Sequence, residues 1–270
     1  MKILVISSKE TWAAKRLAEE AEKAKIILVF ATADKVSAIN PKDFNVLYIR
    51  NPFIKGSPKC LPNIIRLAKK FRAAGKKIVD SAAADGYLAE GKWSDYQKLK
   101  KAGLPIPNTY IVHGRELCKY EFPLVLKWNY GLKAKNVFLA GDEDQLKKML
   151  PLHPCKEWLV QEFIKADYEY KVITVGYKAL PVVSRFKVQG SRFKIDFLHH
   201  KIIKKSAIPK AVKLAEKASK LLGRELSKVD ILQKGKNLYI LEVNRFPGLE
   251  WFEKLTKVNA TKAFLRYLQK

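Results

Sequence analysis

The chain has 270 residues, 48% hydrophobic and 11% aromatic, so it carries enough apolar side chain to fill a core. Intrinsic disorder is disfavoured, and the length suits one large domain or two to three small ones. Fifty-three Lys and Arg against 26 Asp and Glu give a formal charge of +27, which suits a solvated lysine-rich surface or an acidic partner.

Short apolar runs at 2–6, 26–31, 46–49 and 77–80 predict buried strands, and the Ala/Leu/Lys spacing of 10–24 and 61–75 predicts helices between them. Strand alternating with helix implies a parallel sheet with right-handed crossovers over residues 1–85. No Gly-x-Gly-x-x-Gly follows the first strand, which argues against a dinucleotide site there. A helix is expected over 83–102, stopped by Gly103 before Pro105 and Pro107, and this stretch marks a domain boundary. Beyond it the pattern changes to strands at 108–113, 123–128, 136–140, 157–163, 168–176, 179–187, 192–203, 227–232 and 237–244. Helices are expected near 143–150, 208–222 and 257–268. Segregated strands and helices indicate antiparallel α+β architecture.

No apolar run approaches the ~20 residues of a membrane-spanning helix, and the first apolar stretch is too short for a signal peptide. Cys60, Cys118 and Cys155 are odd in number and form no Cys-x-x-Cys pair. They argue against a disulfide scaffold or thiolate zinc site and suit a reducing cytoplasm. Paired basic residues are scattered along the chain, so the signal for nucleic acid is weak.

The strongest local signal is Leu241-Glu242-Val243-Asn244-Arg245-Phe246-Pro247-Gly248. On a strand Glu242 and Asn244 share one side. Asp230 ends the preceding strand, and a turn at Gly235-Lys236-Asn237 would set Asp230 and Glu242 roughly opposite each other. Two carboxylates and an amide oxygen make a hard-cation ligand set suited to Mg²⁺ bridging phosphates; a hairpin with a wet polar face is the plainer reading. Lys127 ends the apolar strand Leu124-Val125-Leu126-Lys127. An ammonium there meets an anion such as phosphate, or snorkels to the surface. The segment 129–137 could cover phosphates as a basic loop, although Gly131 is its one glycine. Trp158-Leu159-Val160-Gln161-Glu162-Phe163-Ile164 offers backbone hydrogen bonds and an apolar wall to a nucleobase, while Arg185 and Asp196 lie on two arms of a hairpin around Gly190.

The order of these pieces resembles the ATP-grasp superfamily, and within it the RimK-like ligases, which attach glutamate or another amino acid to a carboxyl group. The likeness runs from about Lys92 to the C-terminal helix. It implies an ATP-grasp fold, α/β and α+β. Residues 1–85 would be a parallel α/β domain, 86–165 a central lid subdomain, and 166–270 a C-terminal subdomain with the metal site. It further implies that Lys92 and Lys127 contact ATP phosphates, with Lys133 adding charge from the loop. Gln161, Glu162, Phe163 and Ile164 would form the hinge at the adenine. Glu169 stands at the family's aspartate leading into a basic residue, here Lys171. Arg185 would lie near the transferred phosphate, and Asp230, Glu242 and Asn244 would hold Mg²⁺ or Mn²⁺. The sequence departs where Ala134 and Asn136 replace expected loop glycines, and where Leu198-His199-His200-Lys201 replaces an Asn and glycine pair in the acceptor region.

The expected activity is an ADP-forming C–N ligase, joining an amino acid to a protein or acidic carrier through an acyl-phosphate. Phosphoryl transfer needs mainly positioning and positive charge, so the absence of a nucleophilic triad is expected. A small-molecule ligase of amino-acid or cofactor biosynthesis is the alternative. A nucleic-acid-binding protein on a decayed ATP-grasp fold is the rival of another class. The expected partners are ATP, an amino-acid donor and an acidic acceptor in the cytoplasm, without a membrane; homo-oligomerisation stays open.

Overall fold

A computed structural model describes residues 1–7, 11–50, 61–86, 91–112, 121–130, 137–150, 157–188, 195–245 and 247–270, with backbone alone at 188 and 195–199. Lys133, the loop positions Ala134 and Asn136, Gly190, the three cysteines and the side chains of Asp196 and His199 lie outside that description.

The amino-terminal layer comprises β1 (Lys2–Ile6), α1 (Trp12–Lys23), β2 (Ile27–Ala31), β3 (Val46–Ile49), α2 (Leu61–Ala73) and β4 (Lys77–Val79). Its strands are parallel in the order β2-β1-β3-β4. Both faces are covered, which is why β1 is apolar from Ile3 to Ile6. Ile3 and Val5 pack with Leu17 and Ala21 of α1, whereas Leu4 and Ile6 pack with Ile64, Leu67 and Phe71 of α2. Thr11 starts α1 by accepting from the Ala14 amide at 3.2 Å.

The helix expected over 83–102 is shorter: α3 spans Lys92–Lys101. Residues 81–85 form a separate 3₁₀ turn, closed by Gly86 at φ 89°, a left-handed geometry that ends helical continuation. The central sheet follows, from β5 (Thr109–Ile111), β6 (Leu124–Trp128), β7 (Val137–Ala140), α4 (Glu143–Met149) and β8 (Trp158–Glu162). It is antiparallel in the order β5-β8-β6-β7 and buries Leu124, Leu126, Leu146, Trp158 and Val160.

The third layer holds β9 (Tyr168–Val175), β10 (Lys178–Ala179), β11 (Val182–Val188), β12 (Ile195–Lys204), α5 (Pro209–Leu221), β13 (Leu226–Lys234), β14 (Asn237–Asn244), α6 (Leu249–Thr256) and α7 (Ala260–Leu268). Its antiparallel order is β12-β11-β9-β13-β14, with β10 on β9. One face, with Tyr170, Val172, Val229, Ile231 and Ile240, packs on α5. On the other, Ile173 and Leu226 join Phe252 of α6, Phe264 of α7 and Ile3 of β1 in one core. Two helices therefore occupy the tail where one was expected at 257–268. Lys257, at φ 58°, breaks the chain between them, and the earlier helix is legible only through its buried Leu249 and Phe252.

Candidate functional site

The β13–β14 hairpin forms an acidic wall. Its register pairs Asp230 with Glu242 and Lys228 with Asn244, so all four side chains rise from one face. On β9, Lys171 pairs with Asp230, and Glu169, two residues away, shares the face. Asn244 Nδ2 donates to Asp230 Oδ2 at 3.1 Å, and Lys228 Nζ lies 3.1 Å from the same oxygen. Lys171 Nζ donates to Glu169 and lies 3.7 Å from Asp230 Oδ1, an oxygen that is buried without a hydrogen bond. Burial pushes Glu169 up, Lys171 opposes that, and the like charge of Asp230 adds to the rise.

The central sheet contributes Lys127, which is 8% exposed at the end of β6. Its Nζ donates to Gln161 Oε1 at 2.5 Å. Gln161 Nε2 in turn donates to Thr109 Oγ1 at 2.8 Å, and that hydroxyl donates to the Pro107 carbonyl at 2.8 Å. This chain fixes which way the amide faces. Burial pushes Lys127 down to about 8, partly resisted by Glu242, with nearby Lys92 adding to the fall and Glu169 and Asp230 opposing it. Burial therefore disfavours the charged form, and a further anion in the cleft would favour it.

Lys92, the first residue of α3, pairs with Glu242 across the cleft. Burial alone would raise Glu242; the ammoniums of Lys92, Lys127 and Lys228 outweigh it and hold the carboxyl below its ordinary range. Asn129 positions both lysines. It follows the strand of Lys127 closely, and its carbonyl accepts from the Lys92 amide at 3.0 Å. Its Oδ1 accepts from the Trp93 amide at 2.8 Å, and its Nδ2 donates to Glu157 at 2.8 Å. Gly91 permits this approach, since a Cβ there would sit 2.4 Å from Asn129 Oδ1.

The fold thus gathers Lys92, Lys127, Glu169, Asp230, Glu242 and Asn244, with Gln161 bonded to Lys127. Glu162 lies at the rim, where its carboxylate accepts from the Asn108 amide at 3.2 Å. Phe163 is half-buried and directs its amide to the Pro123 carbonyl at 3.4 Å, and Ile164 is buried. Arg185 corrects the expectation. The β9–β11 register pairs it with Tyr170, whereas Ser184 pairs with Lys171, so strand alternation turns Arg185 to the face opposite the carboxylates. There its guanidinium stacks 4.5 Å from the Tyr168 ring centre. Sequence reasoning missed Lys228, Asn129 and Thr109. Lys228 alone had a signal, lying two residues from Asp230 on a strand.

The donor set suits a hard divalent cation. Among the described residues no three His, Cys, Asp or Glu side chains cluster as a metal cage. Two carboxylates and an amide instead suit Mg²⁺, which keeps waters and substrate phosphates among its ligands. The buried Asp230 Oδ1, free of hydrogen bonds, is an oxygen available to such an ion.

The model of the RimK-like ATP-grasp domain matches residues 89–268. A probable alpha-L-glutamate ligase of Legionella pneumophila (strain Corby) is 26% identical over 297 residues, spanning 100% of this chain and 96% of that protein. A RimK domain ATP-grasp protein from Sphaerobacter thermophilus superimposes with a TM-score of 0.72 at 17% identity, covering 100% of both chains. The ATP-grasp ligase PsnB, solved with a phosphomimetic variant of its minimal precursor, Mg and ADP, gives 0.76 at 13% identity, covering 98% of each. With its match over residues 89–268, the chain belongs to the RimK-like ATP-grasp family of ADP-forming carbon–nitrogen ligases.

Proposed function

We propose that this protein is a Mg²⁺- and ATP-dependent ligase that joins an amino acid, glutamate being the leading candidate, to a carboxyl group of a protein or acidic carrier. Residues 1–85 would form the amino-terminal domain, 86–165 the lid subdomain and 166–270 the subdomain carrying the metal ligands. The observation that carries the reading is the meeting of Lys92 and Lys127 with Asp230, Glu242 and Asn244 across one cleft.

Lys92 and Lys127 would bind the nucleotide's phosphates, and a buried ammonium at about 8 is one that gains strongly from an anion. Gln161 and Thr109 hold the Lys127 ammonium in place before the nucleotide arrives. Asp230, Glu242 and Asn244 would hold Mg²⁺, which when bound offsets charge on the phosphates. The substrate carboxylate attacks the γ-phosphorus and ADP leaves; an amine then attacks the acyl carbon of the acyl-phosphate and phosphate departs. The glutamate assignment is supported by the Legionella relative, a probable alpha-L-glutamate ligase. A peptide acceptor is supported by PsnB, solved with its precursor. Net charge of +27 would steer an acidic acceptor toward the cleft.

The test is ADP release from pools of amino acids and candidate acceptors. Acceptor-dependent release that needs glutamate, and is lost in Lys127→Ala and Glu242→Ala, supports the reading. Release with another amino acid alone would replace glutamate, and binding of neither ATP nor Mg²⁺ would overturn the ligase.

A further inference from the structure

Among the described residues, the strand bearing Glu242 and Asn244 lies at a sheet edge, with β13 as its one strand partner. Backbone groups on its outer side need partners from elsewhere. The Ile240 amide finds one in the Pro105 carbonyl at 2.8 Å, and the groups beside the proposed metal ligands find theirs in polar side chains. Tyr96, on α3, donates its hydroxyl to the Leu241 carbonyl at 2.8 Å. Arg224 donates Nη1 to the Val243 carbonyl, which lies between Glu242 and Asn244. Its Nη2 is bound to Asp95 of α3 at 2.6 Å. Directly after Asn244, Arg245 Nη1 donates to Asp80 Oδ2 at 2.7 Å.

These charges are expensive to place. Arg224 is 3% exposed and Asp80 4%, and Asp80 adopts φ 39° at the end of β4. Arg224 Nε and Asp80 Oδ1 are buried without hydrogen bonds. Burial lowers Arg224 and raises Asp80 despite their ion partners. Pairs this deep add little net stability, because desolvation cancels most of the attraction. What they supply is direction: the planar guanidinium bridges the Val243 carbonyl and Asp95, one nitrogen to each, and so aims the carbonyl as a rotatable point charge does not.

We infer that Arg224 and Asp80 are positioning residues for the metal strand. Arg224, oriented by Asp95, sets the peptide between Glu242 and Asn244, and Asp80 anchors the residue that follows through Arg245. This inference rests on the proposed metal site and adds the residues that aim it. Arg224 acts through the Val243 carbonyl and Asp80 through the Arg245 side chain.

The test uses the full chain, with Mn²⁺ binding read by electron paramagnetic resonance in the presence of saturating ATP. ATP binding is read separately with a metal chelator present. The variants are Arg224→Lys, which keeps the charge facing Asp95 but loses the fork, and Asp80→Asn, which keeps the shape. The expected result is Mn²⁺ affinity weakened about 10-fold or more in each, with metal-free ATP affinity within about twofold of the parent at this threshold. Melting curves verify that both variants remain folded. Unchanged Mn²⁺ affinity in folded variants overturns the positioning role while leaving the metal site intact. Equal loss of ATP and Mn²⁺ binding overturns it in favour of a general structural role. A parent protein that binds no Mn²⁺ with ATP overturns the metal site itself, and with it this inference.

Discussion

Lys92 and Glu242, 150 positions apart, form an ion pair that joins the start of α3 to the metal strand. The ammonium sits against a carboxylate proposed as a metal ligand, so without nucleotide Lys92 and a metal ion would compete for that carboxylate. Phosphates that draw Lys92 away would open Glu242. Lys92→Ala is therefore expected to strengthen nucleotide-free Mn²⁺ binding several-fold while weakening ATP binding by about 2 kcal/mol, roughly 30-fold. Paramagnetic titrations with and without ATP check both signs; weaker Mn²⁺ binding in the nucleotide-free variant would remove the competition.

Lys127 gives ATP binding a pH dependence. Its native value of about 8 lies below the ordinary 10.5. Between these values the unfolded chain binds more protons than the native one. This residue therefore destabilises the fold below pH 8, and stability rises with pH across that window. ATP binding has the opposite sign, because phosphates need the ammonium. Affinity should fall as pH climbs past 8, with proton uptake on binding there. Calorimetry in buffers of different ionisation enthalpy measures that uptake, and Lys127→Met should abolish it and weaken binding about 10- to 100-fold. A flat affinity from pH 7 to 9.5 would remove this assignment.

Gly91→Ala tests the tie between the two lysines. The added methyl would stand 2.4 Å from Asn129 Oδ1, so Asn129 must move and release the amide of Trp93. The expected cost is about 1–3 kcal/mol in stability, together with weaker ATP binding, both read from melting curves with and without nucleotide.

Glu253 separates stability from function. Its Oε1 accepts from the Thr261 amide and hydroxyl, each at 2.7 Å, and its Oε2 accepts from Arg16 Nε at 3.0 Å. One carboxylate thus holds α7 against α1 and α6. Glu253→Ala should cost about 2–3 kcal/mol, lowering Tm by roughly 5–10 °C, with ATP affinity unchanged.

The same helix junction predicts acid sensitivity. Burial pushes Glu20 up, but hydrogen bonds from Lys23, Arg16 and Asn259 outweigh it and hold the carboxyl at about 2. A depressed carboxylate stabilises the fold above its unfolded value of 4.5, and that contribution is lost as pH falls toward 2. In the Glu20→Gln variant, Tm should vary less across this window than in the parent.

Much of the site was legible because strand chemistry is local. Period-two alternation put Glu242 and Asn244 on one face, and a glycine turn set Asp230 opposite Glu242, as the register now records. The same alternation sends Arg185 to the opposite face, and only the pairing of β11 with β9 reveals which side that is. Asn129, Thr109 and Arg224 carried no signal, since each works through a partner distant in the sequence.

Local patterns set the layering: parallel strands first, antiparallel strands after, and a carboxylate hairpin near the end, because hydrophobic period and turn residues act over a few neighbours. That Lys92 meets Glu242, that Gln161 serves Lys127, and that Arg224 holds the carbonyl of Val243 came from the folded chain instead. Those contacts depend on how separate sheets and helices are packed, and the burial that packing imposes is what lowers a lysine to about 8.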